Sequence, residues 1–255
     1  MRSSTTLAAL GALILGTGLA AAEPSSPRKD SPGKDSAAKD SMAATPKAGS
    51  LYKGFSGYAR PVTTKARDAQ RWFDQGIQLL YGFNHDEAIR SFEKAAELDP
   101  SCAMAWWGSA YARGLHINNP EMGEEQSRLA FAAAEKAVAA LDDETPVEQA
   151  LVKAVRRRYA WPAPEDRSQL DQDYADAMEA LWHAFPKDAD AGALFAESLM
   201  NLQPWDLWTG DGAPKGRTLE IVGVLERTLA QHPQHPGANH FYIHSIEASP
   251  WPEKG

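Results

Sequence analysis

Seven residues constrain the fold of this chain more than any others: Trp72, Gly76, Leu79, Ala88, Phe92, Ala95 and Pro100. Their spacing describes two helices joined by a tight turn and closed by a proline stop. Small residues at Gly76 and Ala88 let the helices approach closely, while Trp72 and Phe92 fill the space beside them. From Leu51 onward apolar residues recur at helical spacing with few β-branched runs, which predicts helices and no sheet. The implied spans are 65–82, 86–98, 102–113, 124–141, 146–160, 168–185, 189–202, 217–232 and 237–248. Local signals fix several ends. Thr145-Pro146-Val147-Glu148 combines an N-cap threonine, a proline at the first helical position and the glutamate of a capping box. Pro100, Pro186 and Pro233 each follow a helix and stop it.

The seven-residue pattern resembles the tetratricopeptide repeat, with Gln75 and Leu79 departing from the leucine and tyrosine usual there. A second unit opens at Ala103, with Trp106 and Ala110 at the motif's tryptophan and small positions, before the longer Gly114–Gly123 loop interrupts it. Taking Pro186 and Pro233 as closing positions starts further units at Ala189 and Pro236. The implied fold is an all-α, tetratricopeptide-like α-solenoid of antiparallel helix pairs. Two further stretches, Pro204–Trp208 with His235–His244, and Gly82–Ala88, resemble a group of exported bacterial tetratricopeptide proteins. That group brings no biochemical function with it. Its members continue with further helices, so the resemblance implies that residues 51–255 form a repeat domain truncated at its C-terminus.

The chain opens as an export signal. Arg2 gives a positive start, Leu7 to Ala20 an apolar stretch, and Ala20, Ala21 and Ala22 a small-residue cleavage site, so residues 1–22 are expected to be removed after Ala22. Residues 23–50, built from Pro, Ser, Ala, Lys and Asp, hold too little apolar surface to fold and read as a disordered linker. The expected location is periplasmic or secreted, with no transmembrane segment in the mature chain. Cys102 is the only cysteine, which excludes an intrachain disulfide. The formal charge of −8, which becomes −9 without Arg2, disfavours nucleic acid as a partner.

In tetratricopeptide proteins the ligand groove is lined by fixed positions of each first helix. The resemblance implies Met104, Trp107, Tyr111, Glu197 and Met200 as groove residues here, followed by His240, His244 and Glu247 from the last unit. Trp106 is expected in the core. Trp205 and Trp208, in a loop bounded by Pro and Gly, either cover the groove or pack beneath the loop. No cofactor is required by this reading, whose function is a scaffold holding a peptide or protein partner.

An alternative arises from chemistry alone. His240 and His244 lie one helical turn apart and Glu247 follows on the same stripe, a spacing that chelates Zn or Cu and implies a metal-binding protein or a metal-dependent hydrolase. Glu197 and His85 are additional candidate ligands. Phe241 stands where a zinc protease of the His-Glu-x-x-His type carries its general base, which argues against that class. His85, beside Asp86 and Glu87, also suits a helix start, Cys102 a buried apolar position, and His232 and His235 a solvated turn. No phosphate loop, nucleophile elbow or Cys-x-x-Cys pair is present, so the scaffold reading carries no catalytic residue.

Overall fold

The computed structural model describes residues 49–55 and 57–255. The expected leader, its cleavage site and the linker up to residue 48 lie outside this part. The described helices are α1 (Arg67–Tyr81), α2 (His85–Leu98), α3 (Ala103–Ala112), α4 (Glu124–Ala139), α5 (Pro146–Arg157), α6 (Ser168–Ala184), α7 (Ala189–Asn201), α8 (Thr218–Gln231) and α9 (Pro236–Ile246), followed by a 3₁₀ turn at Pro252–Lys254. No strand occurs among the described residues, and the fold is all-α. Every α-helix begins and ends within 3 residues of the positions implied by the sequence. None of the described helices is long and apolar enough to cross a membrane.

Capping chemistry accounts for three helix starts. Thr145 accepts from the Glu148 N–H while the Glu148 carboxylate accepts from the Thr145 N–H at 2.9 Å, which completes the capping box of α5. Asp188 accepts from Ala191 N–H at the head of α7. His235 does the same for Ala238 N–H at α9, with Pro236 in the first helical position.

Close packing explains two of the helical glycines. A Cβ built on Gly76 would lie 2.7 Å from the Phe92 ring, and one built on Gly108 of α3 would lie 2.4 Å from it. Phe92 is fully buried between α1 and α3, where an aromatic ring contributes about 1.5–3 kcal/mol by leaving water.

Each helix packs on the next in sequence, and a second set of contacts joins α1 to α3, α3 to α5 and α7 to α9. Helix α9 also returns to α1. Across the middle, the Tyr111 hydroxyl of α3 donates to the Glu197 carboxylate of α7 at 2.7 Å. The helices that would line an open concave face therefore meet one another. An extended strap before α1 adds polar ties. Thr63 donates to Glu148 through its N–H and its hydroxyl, and Thr64 and Lys65 both donate to Asp99. Burial favours protonation of Asp99, but these bonds and those from Ser101 outweigh it and bring its pKa to about 2.

Candidate functional site

The five inner positions expected to line a groove do not face open space. Met104, Trp107, Tyr111, Glu197 and Met200 are all buried; α9 packs onto α1 and α7, and Tyr111 of α3 bonds Glu197 of α7. The groove expectation is corrected on this point. Burial pushes the Glu197 carboxyl above its usual range, and its oxygens are taken by Tyr111 and Asn201, so it is not placed to ligate a metal. The tryptophan pair of α3 is exchanged relative to expectation. Trp107 is core, whereas Trp106 is half-buried, donates to the Pro100 carbonyl and carries the Lys136 ammonium 4.2 Å above its ring. The loop tryptophans divide. Trp208 is buried and donates to the Ser245 carbonyl at 2.7 Å, while Trp205 is 54% exposed.

The His240–His244 pair remains as the accessible polar group with unusual geometry. The Nε2 atoms of the two rings stand 3.0 Å apart. The other nitrogen of each ring is engaged. His240 Nδ1 meets the Tyr81 carbonyl, and His244 Nδ1 meets the Glu247 carboxylate at 3.1 Å. A carbonyl and a carboxylate only accept, so both Nδ1 atoms carry hydrogen and both Nε2 atoms of the neutral rings present lone pairs. Two lone pairs at this distance repel unless a proton or a cation lies between them. With metal–nitrogen bonds of about 2.0–2.1 Å, a 3.0 Å separation gives an angle of about 95° at the metal, between the right angle of tetragonal Cu(II) and the tetrahedral angle of Zn. Glu247 is thus behind His244 rather than beside its Nε2, where it orients the imidazole ring. Among the described residues no group of three or more His, Cys, Asp or Glu side chains converges on one point.

Backbone strain brackets this pair. Among the described residues only Phe83 (φ 56°) and Trp205 (φ 60°) are non-glycine residues in the left-handed region. The Phe83 ring centroid lies 4.4 Å from that of His240, and Trp205 stands edge-on to His244 at 5.2 Å. Such conformations cost on the order of 1–3 kcal/mol each and concentrate at functional sites. Behind Phe83, the rings of His85 and His116 stack at 4.0 Å. Burial lowers the pKa of both, that of His116 to about 4, and His116 Nδ1 has no hydrogen-bond partner. Burial followed by the nearness of His244 lowers His240 as well. A small hollow beside the pair is lined by Ile117, Trp205, Trp208, His244 and Glu247.

The other buried polar cluster centres on Asp190, which the sequence did not single out. Its carboxylate accepts from the hydroxyls of Tyr58 and Tyr81, from the Arg60 guanidinium and from His235 Nε2. His235 is buried rather than solvated, correcting the turn reading: its Nδ1 takes the α9 cap and its Nε2–H donates to Asp190. Burial would raise the Asp190 pKa, yet Arg60 and these donated bonds hold it far below the usual carboxylate range. No sequence signal links Arg60 to Asp190 across 130 positions. Cys102 is buried as expected, and burial pushes its thiol up to about 11.

No protein-family model matches the chain, and no curated protein matches it.

Proposed function

We propose that this chain is an exported helical-repeat protein of tetratricopeptide type that binds one Zn²⁺ or Cu²⁺ ion through His240 Nε2 and His244 Nε2. The single observation carrying the proposal is the pair of facing Nε2 atoms at 3.0 Å, each ring fixed by a contact of its opposite nitrogen with an acceptor. A ring anchored through Nδ1–H is already in the tautomer a metal requires, and Glu247 fixes the orientation of the His244 ring. The strained backbones of Phe83 and Trp205 on either side support the same reading. Two imidazoles fill only part of a coordination sphere, which leaves positions for water or for a donor brought by a partner. Peptide capture in a concave groove finds less support, since the positions named for it are buried.

Elemental analysis of the protein purified from the periplasm without an affinity tag tests this, alongside the His240→Ala/His244→Ala variant. Close to one Zn or Cu per chain, absent from a variant that keeps its helical spectrum, is expected. Metal-free wild type that also fails to take up added Zn²⁺ or Cu²⁺ contradicts the proposal.

A further inference from the structure

One residue of α1 fixes α9 at two points. Tyr81 is the last residue of α1, and the carbonyls of Gln78, Leu79 and Leu80 before it accept from the backbone N–H groups of Gly82, Asn84 and Phe83. The Tyr81 carbonyl receives no such backbone donor, and His240 Nδ1–H takes that place at the helix end. At the far end of the same residue the hydroxyl donates to Asp190. Asp190 also accepts from His235 Nε2 at 3.1 Å, and His235 is the N-cap of α9. The contacts close a ring that runs from the Tyr81 hydroxyl through Asp190, His235, the start of α9 and His240 back to the Tyr81 carbonyl.

The Tyr81 side chain fills the middle of that ring. A Cβ built on Gly237 would lie 2.4 Å from it, and Phe241 meets it edge-on at 6.2 Å. Gly237, His240 and Phe241 stand at i, i+3 and i+4, so Tyr81 follows one stripe of α9 for a full turn, and His244 continues the stripe. A helix held only at its N-cap can still turn about its axis. A turn of about 20° carries an atom at the helix surface, about 5–6 Å from the axis, through about 2 Å. That parts His240 Nδ1 from its carbonyl and frees the imidazole to rotate. Burial and the nearby Asp190 charge hold the Tyr81 pKa well above the usual tyrosine value, so its hydroxyl stays a donor.

Tyr58 supplies the contrast. Its hydroxyl donates to the same carboxylate at 2.7 Å, and its ring meets Tyr81 and His235, but none of these contacts reaches His240 or His244.

We infer that Tyr81 is the positioning residue of the histidine pair: its hydroxyl on Asp190 and its carbonyl on His240 hold α9 in the rotation that turns His240 Nε2 toward His244. The consequence for metal affinity rests on the metal reading. The positioning itself rests on the ring of contacts alone.

Two Tyr→Phe variants at one carboxylate test the inference in the full mature chain. Tyr81→Phe and Tyr58→Phe each remove one hydroxyl from Asp190 and keep the ring, so both should fold and lose similar stability in urea. Only Tyr81→Phe should weaken Zn²⁺ binding in a competition titration, by about fivefold, and shift the His240 Nδ1 ¹⁵N resonance of the metal-free protein. Tyr58→Phe should leave both at their wild-type values. Unchanged Zn²⁺ affinity and an unmoved His240 resonance in Tyr81→Phe overturn the inference. Equal changes in the two variants also overturn it, since they reduce Tyr81 to general support of the fold. A wild-type chain that takes up no Zn²⁺ contradicts the metal reading instead, and the His240 resonance then decides the role of Tyr81 by itself.

Discussion

Helix α9 carries two polar clusters that differ in one respect. At its start, His235 joins Tyr58, Tyr81 and Arg60 around Asp190, and the carboxylate receives a donor from each of them. Further along the helix His240 and His244 bring their Nε2 atoms to 3.0 Å of each other, with no other side chain of the described residues bonded to either Nε2. A saturated buried cluster holds structure together, because its charge and lone pairs are answered within the chain. An unsaturated accessible pair is arranged for something the chain does not itself supply. The same residue type, histidine, serves both ends, and only the partners at its second nitrogen tell them apart.

The comparison breaks most readily at the saturated end. Asp190→Asn should destabilise the fold by about 3–5 kcal/mol, read from urea unfolding, because it leaves the buried Arg60 charge without its closest counter-ion. If that loss is under about 1 kcal/mol, the cluster is not the lock between strap, α7 and α9 that its geometry describes. Glu247→Gln acts at the other end. Losing the outer carboxylate should weaken Zn²⁺ or Cu²⁺ binding about 10–100-fold in a competition titration while leaving unfolding nearly unchanged.

Acid should separate the two clusters along the pH axis. His85, His116 and His240 have pKa values lowered in the fold, His116 to about 4. A base whose folded pKa is depressed contributes stability that is complete above its unfolded value of about 6.5 and is lost as pH falls through the folded value. Asp190 is also depressed, from an unfolded value of about 3.8, so its contribution persists to lower pH before protonation removes it. Thermal melts from pH 7 downward should therefore show a first decline beginning near pH 6.5, reduced by replacing His85 and His116 with Gln, and a second below about pH 4, to which Asp99 also contributes, reduced by Asp190→Asn. A single decline confined below about pH 4 would mean the histidine patch does not resist protonation.

The smallest effects concern the loop above the pair. Trp208→Phe removes the bond to the Ser245 carbonyl and should cost about 1 kcal/mol. Trp205→Gly should change stability by less than about 1 kcal/mol, since relief of the left-handed backbone offsets the lost packing of a half-exposed indole. Guanidinium melts of both variants check this ordering.

Features written in neighbouring residues were legible from sequence. The capping box at Thr145, the stops at Pro100, Pro186 and Pro233, and the one-turn spacing of His240 and His244 depend on contacts within a few positions. Features set by closure were not. His235 reads as a solvated turn residue until α9 meets α1 and brings Tyr81 and Asp190 beside it. Trp106 and Trp107 are adjacent, so a small error in helix phase exchanges core for surface. The groove positions failed for the same reason: an open concave face was assumed, and Tyr111 meeting Glu197 across the interior fills it. Glu247 lies on the expected stripe, and its contact with His244 Nδ1 depends on a ring orientation that spacing alone does not disclose.

The central claim is that His240 and His244 converge as a preset chelate while His235 does not, and ¹⁵N imidazole spectra of the mature protein during Zn²⁺ addition test it most directly. The account predicts Nδ1-protonated rings at His240 and His244 in the metal-free protein. Their two Nε2 resonances should shift and saturate at one equivalent while His235, bound to Asp190, stays unmoved. Nε2-protonated rings at the pair, or no shift there on adding Zn²⁺, would contradict it.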